Sequence, residues 1–254
     1  MVGITASMKI ESLQLNQWTN AFLGFLYPEV CQLCGLPRAT PAEGFVCRKC
    51  ASSAEIIRPP FCDRCGLSFG GDISQSFVCH HCRSTELHFS FARAAVAAKD
   101  KVLDAIHRYK YNRALCLEPF LAGLLISQAQ PTLNLNQWDL IVPVPLHPVK
   151  QREREFNQAE RLSRCLSRAI RLPVETRAVR RVLPTCTQTL LTREERLENM
   201  RKAFAFNPSA DIHGKRIILV DDVFTTGATT SACALALKQG GAAEVCVWTV
   251  ARGT

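Results

Sequence analysis

The chain has 254 residues, 47% hydrophobic and 21% charged, a globular composition that excludes bulk disorder and fibrous classes and leaves room for one large domain or two smaller ones. Its net charge of +9, from 31 Lys and Arg against 22 Asp and Glu, favours phosphate-bearing partners such as nucleotides, nucleic acid or anionic membrane surfaces. Residues 1–90 balance seven basic against seven acidic side chains, so the whole excess falls in 91–254, and eight of the 13 cysteines lie between Cys31 and Cys82. Together these asymmetries predict a helical segment over 1–28, a cysteine-rich domain over 29–87 and a basic domain over 88–254 whose core lies in its own sequence.

In the first segment Leu15, Trp18, Phe22, Leu23, Phe25 and Leu26 predict a short apolar helix ending near Pro28, of the docking or core kind. It holds no apolar run long enough for a secretory signal or a membrane span, so the expected location is cytoplasmic. In a reducing cytosol a dense set of cysteines binds metal or does redox chemistry more readily than it forms structural disulfides.

The cysteines come as four CxxC pairs, Cys31/Cys34, Cys47/Cys50, Cys62/Cys65 and Cys79/Cys82. Twelve residues separate the first two pairs and thirteen the last two, and the flanks repeat as well: Val30-Cys-Gln-Leu-Cys-Gly-Leu is answered by Phe61-Cys-Asp-Arg-Cys-Gly-Leu. This is an internal duplication of about 31 residues per unit. Two thiolates three positions apart on a tight knuckle both reach one ion at about 2.3 Å, and two knuckles complete a tetrahedral S4 shell. Gly35 and Gly66 follow the second cysteine of their knuckles, where a positive-φ turn is expected. Each unit is too small to build a sufficient core alone, so metal binding supplies folding free energy. The expectation is two structural zinc ions with cysteines paired within each repeat, although iron takes the same ligands, disulfides are the non-metal alternative, and an interleaved pairing has the same spacing. His80 and His81 are expected to be solvated.

From Phe91 onward short apolar runs alternate with amphipathic stretches: Ala94–Ala98, Val102 to Tyr109, Leu117–Ile126, Leu140–Val144, Leu162–Ile170, Ile217–Val220, Ala232–Leu237 and Val245–Val250. Strands alternating with helices predict an α/β domain with a parallel sheet covered on both faces, whose ligands bind beyond the carboxyl ends of the strands. One strand end stands apart. Ile217 to Val220 runs into Asp221-Asp222, then Val223-Phe224, then Thr225-Thr226-Gly227-Ala228-Thr229-Thr230 opening a helix. A carboxylate pair placed where a strand leaves the sheet costs desolvation unless something polar occupies the site. The hydroxyls and amides that follow offer a phosphate cradle, with Gly227 allowing close approach.

Residues Ile217 to Thr229 resemble the thirteen-residue PRPP-binding motif of the phosphoribosyltransferases throughout its length. By that resemblance Asp221 and Asp222 hydrogen-bond the ribose 2′- and 3′-hydroxyls of PRPP, Thr225, Thr226, Gly227, Ala228 and Thr229 hold its 5′-phosphate, and the domain is a type I phosphoribosyltransferase-like fold. From Cys31 onward the chain is similar to the ComF/GntX family, which joins a double zinc ribbon to such a domain. The likeness is carried by Ala105-Ile-His-Arg-Tyr-Lys-Tyr111, by Val142-Pro-Val-Pro-Leu-His-Pro148 with Arg152, Arg154 and Phe156-Asn-Gln158, and by Gln188-Thr-Leu-Leu-Thr-Arg193 with Arg196, Asn199 and Ala203-Phe204. It departs at Glu155, where the family has Gly and a close backbone approach.

Bottom-up, the same stretches suit a diphosphate. Three prolines and the cations Lys150, Arg152 and Arg154 make a rigid basic turn at the sheet's carboxyl edge, and the segment 180–196 reads as a flap closing over an anion. Lys110, Arg152, Arg154 and Arg196 are the candidate diphosphate contacts, Mg²⁺ being expected to arrive with PRPP. An enzyme transferring ribose 5-phosphate is therefore one expectation, with nucleobase salvage as a variant. The other is a non-enzymatic factor that binds single-stranded DNA or a helicase-type partner through the basic face, where 14 basic residues meet seven acidic ones over 150–202. The family resemblance implies a role in DNA uptake or use and favours their combination.

Overall fold

The computed structural model describes residues 30–36, 38–71, 76–133, 137–183 and 202–253. The apolar helix expected before Pro28 lies outside them. Two one-turn helices, α1 (Arg48–Ser52) and α2 (His80–Ser84), belong to the cysteine-rich part. They are followed by β1 (Ala92–Ala97), α3 (Asp100–Tyr111), α4 (Glu118–Thr132), β2 (Leu140–Pro143), α5 (Pro148–Arg154), α6 (Gln158–Ile170), β3 (Val179–Arg181), β4 (Phe204–Phe206), β5 (Arg216–Phe224), α7 (Ala228–Gln239) and β6 (Glu244–Arg252).

The main sheet is parallel throughout, in the order β1-β6-β5-β2. Successive side chains on a strand point to opposite faces, and the central strands use both. Ile218 and Val220 of β5 with Cys246, Trp248 and Val250 of β6 pack against α3, α4 and α6, while Ile217, Leu219, Val245 and Val247 pack against α7 and Phe204 of β4. Such two-sided burial is the rule for parallel sheets, which is why their strands read as continuous apolar runs. β3 and β4 form a separate antiparallel pair at the two ends of residues 182–203.

The expectation that the basic domain keeps a core in its own sequence is corrected by the packing. Cys31, Leu33, Val46, Cys47 and Cys50 lie in one cluster with Tyr109, Phe120 and Leu121, and Cys62, Cys65, Cys79, Leu87 and Phe89 lie in the other with Ile217, Leu219 and Phe224. Gly44, at φ +64, approaches α4 so closely that a Cβ would sit 2.6 Å from the amide nitrogen of Phe120. Residues 55–57 also run along the edge of β1, the amide of Ile57 donating to Ala95 and that of Ala97 to Glu55. Units too small to bury their own apolar surface have borrowed the sheet's.

Candidate functional site

Each repeat gathers its own four cysteines. Cys31, Cys34, Cys47 and Cys50 form one cluster and Cys62, Cys65, Cys79 and Cys82 the other, with the Sγ atoms of each within 4.8 Å of one another. None of the eight is in a disulfide. The Sγ atoms of Cys34 and Cys47 are 3.8 Å apart and those of Cys65 and Cys79 3.7 Å, which matches the edge of about 3.8 Å of a tetrahedral shell with metal–sulfur bonds of about 2.3 Å. Gly35 and Gly66 take the positive φ their knuckles were expected to need, +73 and +67. The duplication extends to hydrogen bonds: the amide of Cys47 donates to Cys31 Sγ and that of Cys79 to Cys62 Sγ, each at 3.3 Å. Burial pushes these thiols up, but the knuckle amides outweigh it and bring Cys31 down to about 6 and Cys62 to about 7. Burial pushes Cys50, Cys65 and Cys82 of the same clusters the other way, well above the ordinary thiol range, so each cluster joins a ready thiolate to thiols that a metal must deprotonate as it binds. These are the two four-cysteine zinc-binding sites of the chain. His80 is exposed as expected; His81 instead rests on the basic domain, its Nε2 3.2 Å from the carbonyl oxygen of Thr226.

The carboxylate pair lies in the second half of β5, not beyond it, since the strand continues to Phe224 and Asp221 is in register with Thr249 of β6. Alternation sends the two side chains to opposite faces. Asp222 is 7% exposed and pairs with Lys110, whose Nζ reaches from the end of α3 to within 2.8 Å of Oδ1. Asp221 accepts from the amide of Asp222 at 2.9 Å. Burial first, and the charge of Asp222 second, push the Asp221 carboxyl up to about 7 against the pull of Lys110 and Arg181.

Beyond the pair the chain turns through Thr225 and Thr226, both exposed, to Gly227 at φ +81, the N-cap of α7. A Cβ on Gly227 would meet the Phe224 ring at 2.6 Å. Thr226 Oγ1 accepts from the amide of Ala228 at 3.4 Å, and Thr230 Oγ1 donates to the Gly227 carbonyl at 3.1 Å. The first-turn amides of a helix have no intrahelical acceptor and carry the positive end of its dipole, so this turn can receive an anion a few residues from two carboxylates.

The candidate cations separate. Lys110 is in the site. Arg154 stacks on Tyr111, next in sequence to Lys110, at 4.9 Å, and donates to Gln158 Oε1 at 3.3 Å. Arg152 is exposed and donates within its own helix, to the Pro148 carbonyl at 3.4 Å. Arg196 and most of the expected flap lie among residues 184–201, outside the described residues. Glu155, where a Gly was expected, adopts the left-handed conformation a Gly would, φ +66, and its carboxylate pairs with Arg113 at 2.8 Å. Arg161, Arg164 and Arg168 recur at helical spacing along α6, and two of the three are paired: Arg161 with Glu118 and Arg164 with Glu160 at 2.7 Å. Sequence reasoning did not single out Arg181, whose charge acts on Asp221, or Arg252, which reaches the Thr225 carbonyl. Arg181 lies in the stretch read as a flap, where nothing marks it from its basic neighbours, and Arg252 sits in no recognisable pattern; each is far from the carboxylate pair in sequence.

Residues 22–83 match the double zinc ribbon domain family. Over 228 residues the chain is 32% identical to competence protein F of Haemophilus influenzae, covering 82% of this chain and 97% of that protein. It is 30% identical over 228 residues to DNA utilization protein YhgH of Escherichia coli K12, covering 89% and 97%. Among solved structures, an adenine phosphoribosyltransferase superposes with a TM-score of 0.34 at 16% identity, over 57% of this chain and 74% of that one.

Proposed function

This chain belongs to the competence protein F (ComF) family, and from that premise we propose that its β5–α7 turn binds PRPP for a role in the use of incoming DNA. The observation that carries the reading is the Asp221–Asp222 pair, with Lys110 on Asp222, held a few residues before a glycine-capped helix start flanked by Thr225 and Thr226. Ionised carboxylates accept from ribose hydroxyls, Asp222 on the face that Lys110 occupies and Asp221 on the other, and the exposed threonines with the α7 amides receive a terminal phosphate. Magnesium bound to the diphosphate would offset charge on the leaving group. The chain itself orients the sugar and places cations, Lys110 and Arg154 first among them, so that pyrophosphate can depart from an oxocarbenium-like centre without a protein nucleophile. Whether the acceptor is a nucleobase or a nucleic-acid end decides between salvage chemistry and DNA processing, and the family favours the second.

The test is calorimetric titration of the full chain with PRPP and Mg²⁺. Asp221→Asn with Asp222→Asn removes two charge-assisted hydrogen bonds of about 1.5–3 kcal/mol each, enough for an affinity loss of at least about a hundredfold. Unchanged affinity in a folded double variant overturns the reading.

A further inference from the structure

Arg252, the last residue of β6, is 8% exposed. A buried guanidinium is costly unless an anion faces it, yet no carboxylate pairs with it among the described residues. Its environment supplies three other contacts. Its NH2 group lies 3.4 Å from Cys65 Sγ in the second four-cysteine cluster, its NH1 group donates to the Thr225 carbonyl at 3.4 Å, and its plane lies 4.9 Å from the centre of the Phe224 ring. That ring fills the space a Cβ on Gly227 would need, and Phe89, just beyond the second ribbon, meets it edge-on at 5.9 Å. Two more contacts join the same surfaces, His81 at Thr226 and the amide of His88 donating to Ser231 Oγ at 3.1 Å. Among the described residues the first cluster makes no such connection to the turn: its cysteines pack in the opposite core cluster, with Tyr109 and Phe120.

We propose that the metal-bound thiolates of the second cluster are the counter-ion of Arg252, and that through Arg252 this site, and not the first, fixes the Phe224–Gly227 turn. Four thiolates around a divalent cation leave the centre with net negative charge, which a donor N–H at sulfur both neutralises and orients. With the site filled, Arg252 is held between Cys65 and Thr225 and the turn keeps one conformation; with the site empty, the cation loses its anion and the turn loses a support. Arg252 is thus a positioning residue for the turn, and the second ribbon is part of the site's scaffold.

The experiment uses the full chain with cobalt in place of zinc and hydrogen exchange of the amides in 222–231, with no ligand added, so it stands or falls apart from the phosphoribosyl reading. Arg252→Met should still bind two cobalt ions, should move part of the sulfur-to-cobalt charge-transfer absorption to longer wavelength, and should speed exchange in 222–231 at least tenfold. Arg252→Lys, which keeps a cation but cannot span both contacts, should recover most of the absorption shift and less of the exchange protection. An Arg252→Met chain with two ions, an unshifted spectrum and wild-type exchange overturns the proposal. Should that variant fail to load, the wild-type chain stripped by chelator decides: protection lost in 222–231 together with that in 62–66 supports the tie, and protection kept in 222–231 while 62–66 opens overturns it.

Discussion

At the scale of single residues the energetic tension sits on Asp221. A free aspartate ionises near 4 and this one near 7, so between those values the folded chain holds a proton that the unfolded chain has released. Stability from this group therefore falls as pH rises from about 4 to 7, and its cost is fully present above 7. Asp221→Asn is neutral at every pH. It is expected to raise the thermal midpoint at pH 8 and to change it little at pH 4, and an equal effect at both would show that burial and Asp222 do not bear on this carboxyl. The identity of this pair was legible because two adjacent acids after a run of Ile, Leu and Val have few structural uses. Its setting was not: β5 lies between β2 and β6 with partners on both sides, so the backbone stays in the sheet through Asp222 even though the side chains turn polar.

At the scale of elements, the strand and helix alternation of the basic domain followed from its apolar runs, because a strand buried on both faces and a helix buried on one leave different periods in the sequence. Contacts across the fold left no such trace. Arg252 meets Cys65 across 187 positions, and neither residue announces the other; β3 and β4, three residues each, are too short for a period to register. The turn between β5 and α7 was readable for the opposite reason, since its requirement is local. Gly227 combines φ +81 with a Cβ position 2.6 Å from the Phe224 ring, and that ring is held by Phe89 and Arg252. Gly227→Ala is expected to cost about 1–3 kcal/mol, the sum of left-handed strain and a displaced ring, and to weaken PRPP binding more than its effect on the melting temperature alone would imply. A variant with wild-type stability and affinity would mean that the turn adapts without cost.

At the scale of the whole molecule the two four-cysteine sites and the sheet are one packing unit. Elemental analysis is expected to give two zinc ions per chain, and their removal to lower a single unfolding transition seen alike by probes in the ribbons and at Trp138 and Trp248, because Cys47 and Cys65 lie in the same clusters as the sheet's central strands. Two separated transitions would show that the shared clusters do not couple the parts. The same unity shapes the DNA question. A basic face that neutralises phosphates binds single strands with log affinity falling against log salt by about 0.7 per phosphate, and the +9 net charge supplies the cations for one. On α6, Arg161 is committed to Glu118, which also accepts from Tyr109 at 2.8 Å, so reversing its charge would disturb the core and any DNA effect would be ambiguous. Arg168 and Arg171 are the cleaner probes, since neither pairs with a carboxylate among the described residues. Changing both to Glu is expected to weaken single-strand binding and flatten the salt slope by about 1.4, while PRPP affinity stays within twofold. The Asp221/Asp222 double variant should do the reverse. If each variant loses both ligands while folded, one site serves both and a nucleic-acid end becomes the acceptor to test; if neither form binds single strands at low salt, the basic face is not a DNA surface and the family's DNA role must pass through another protein.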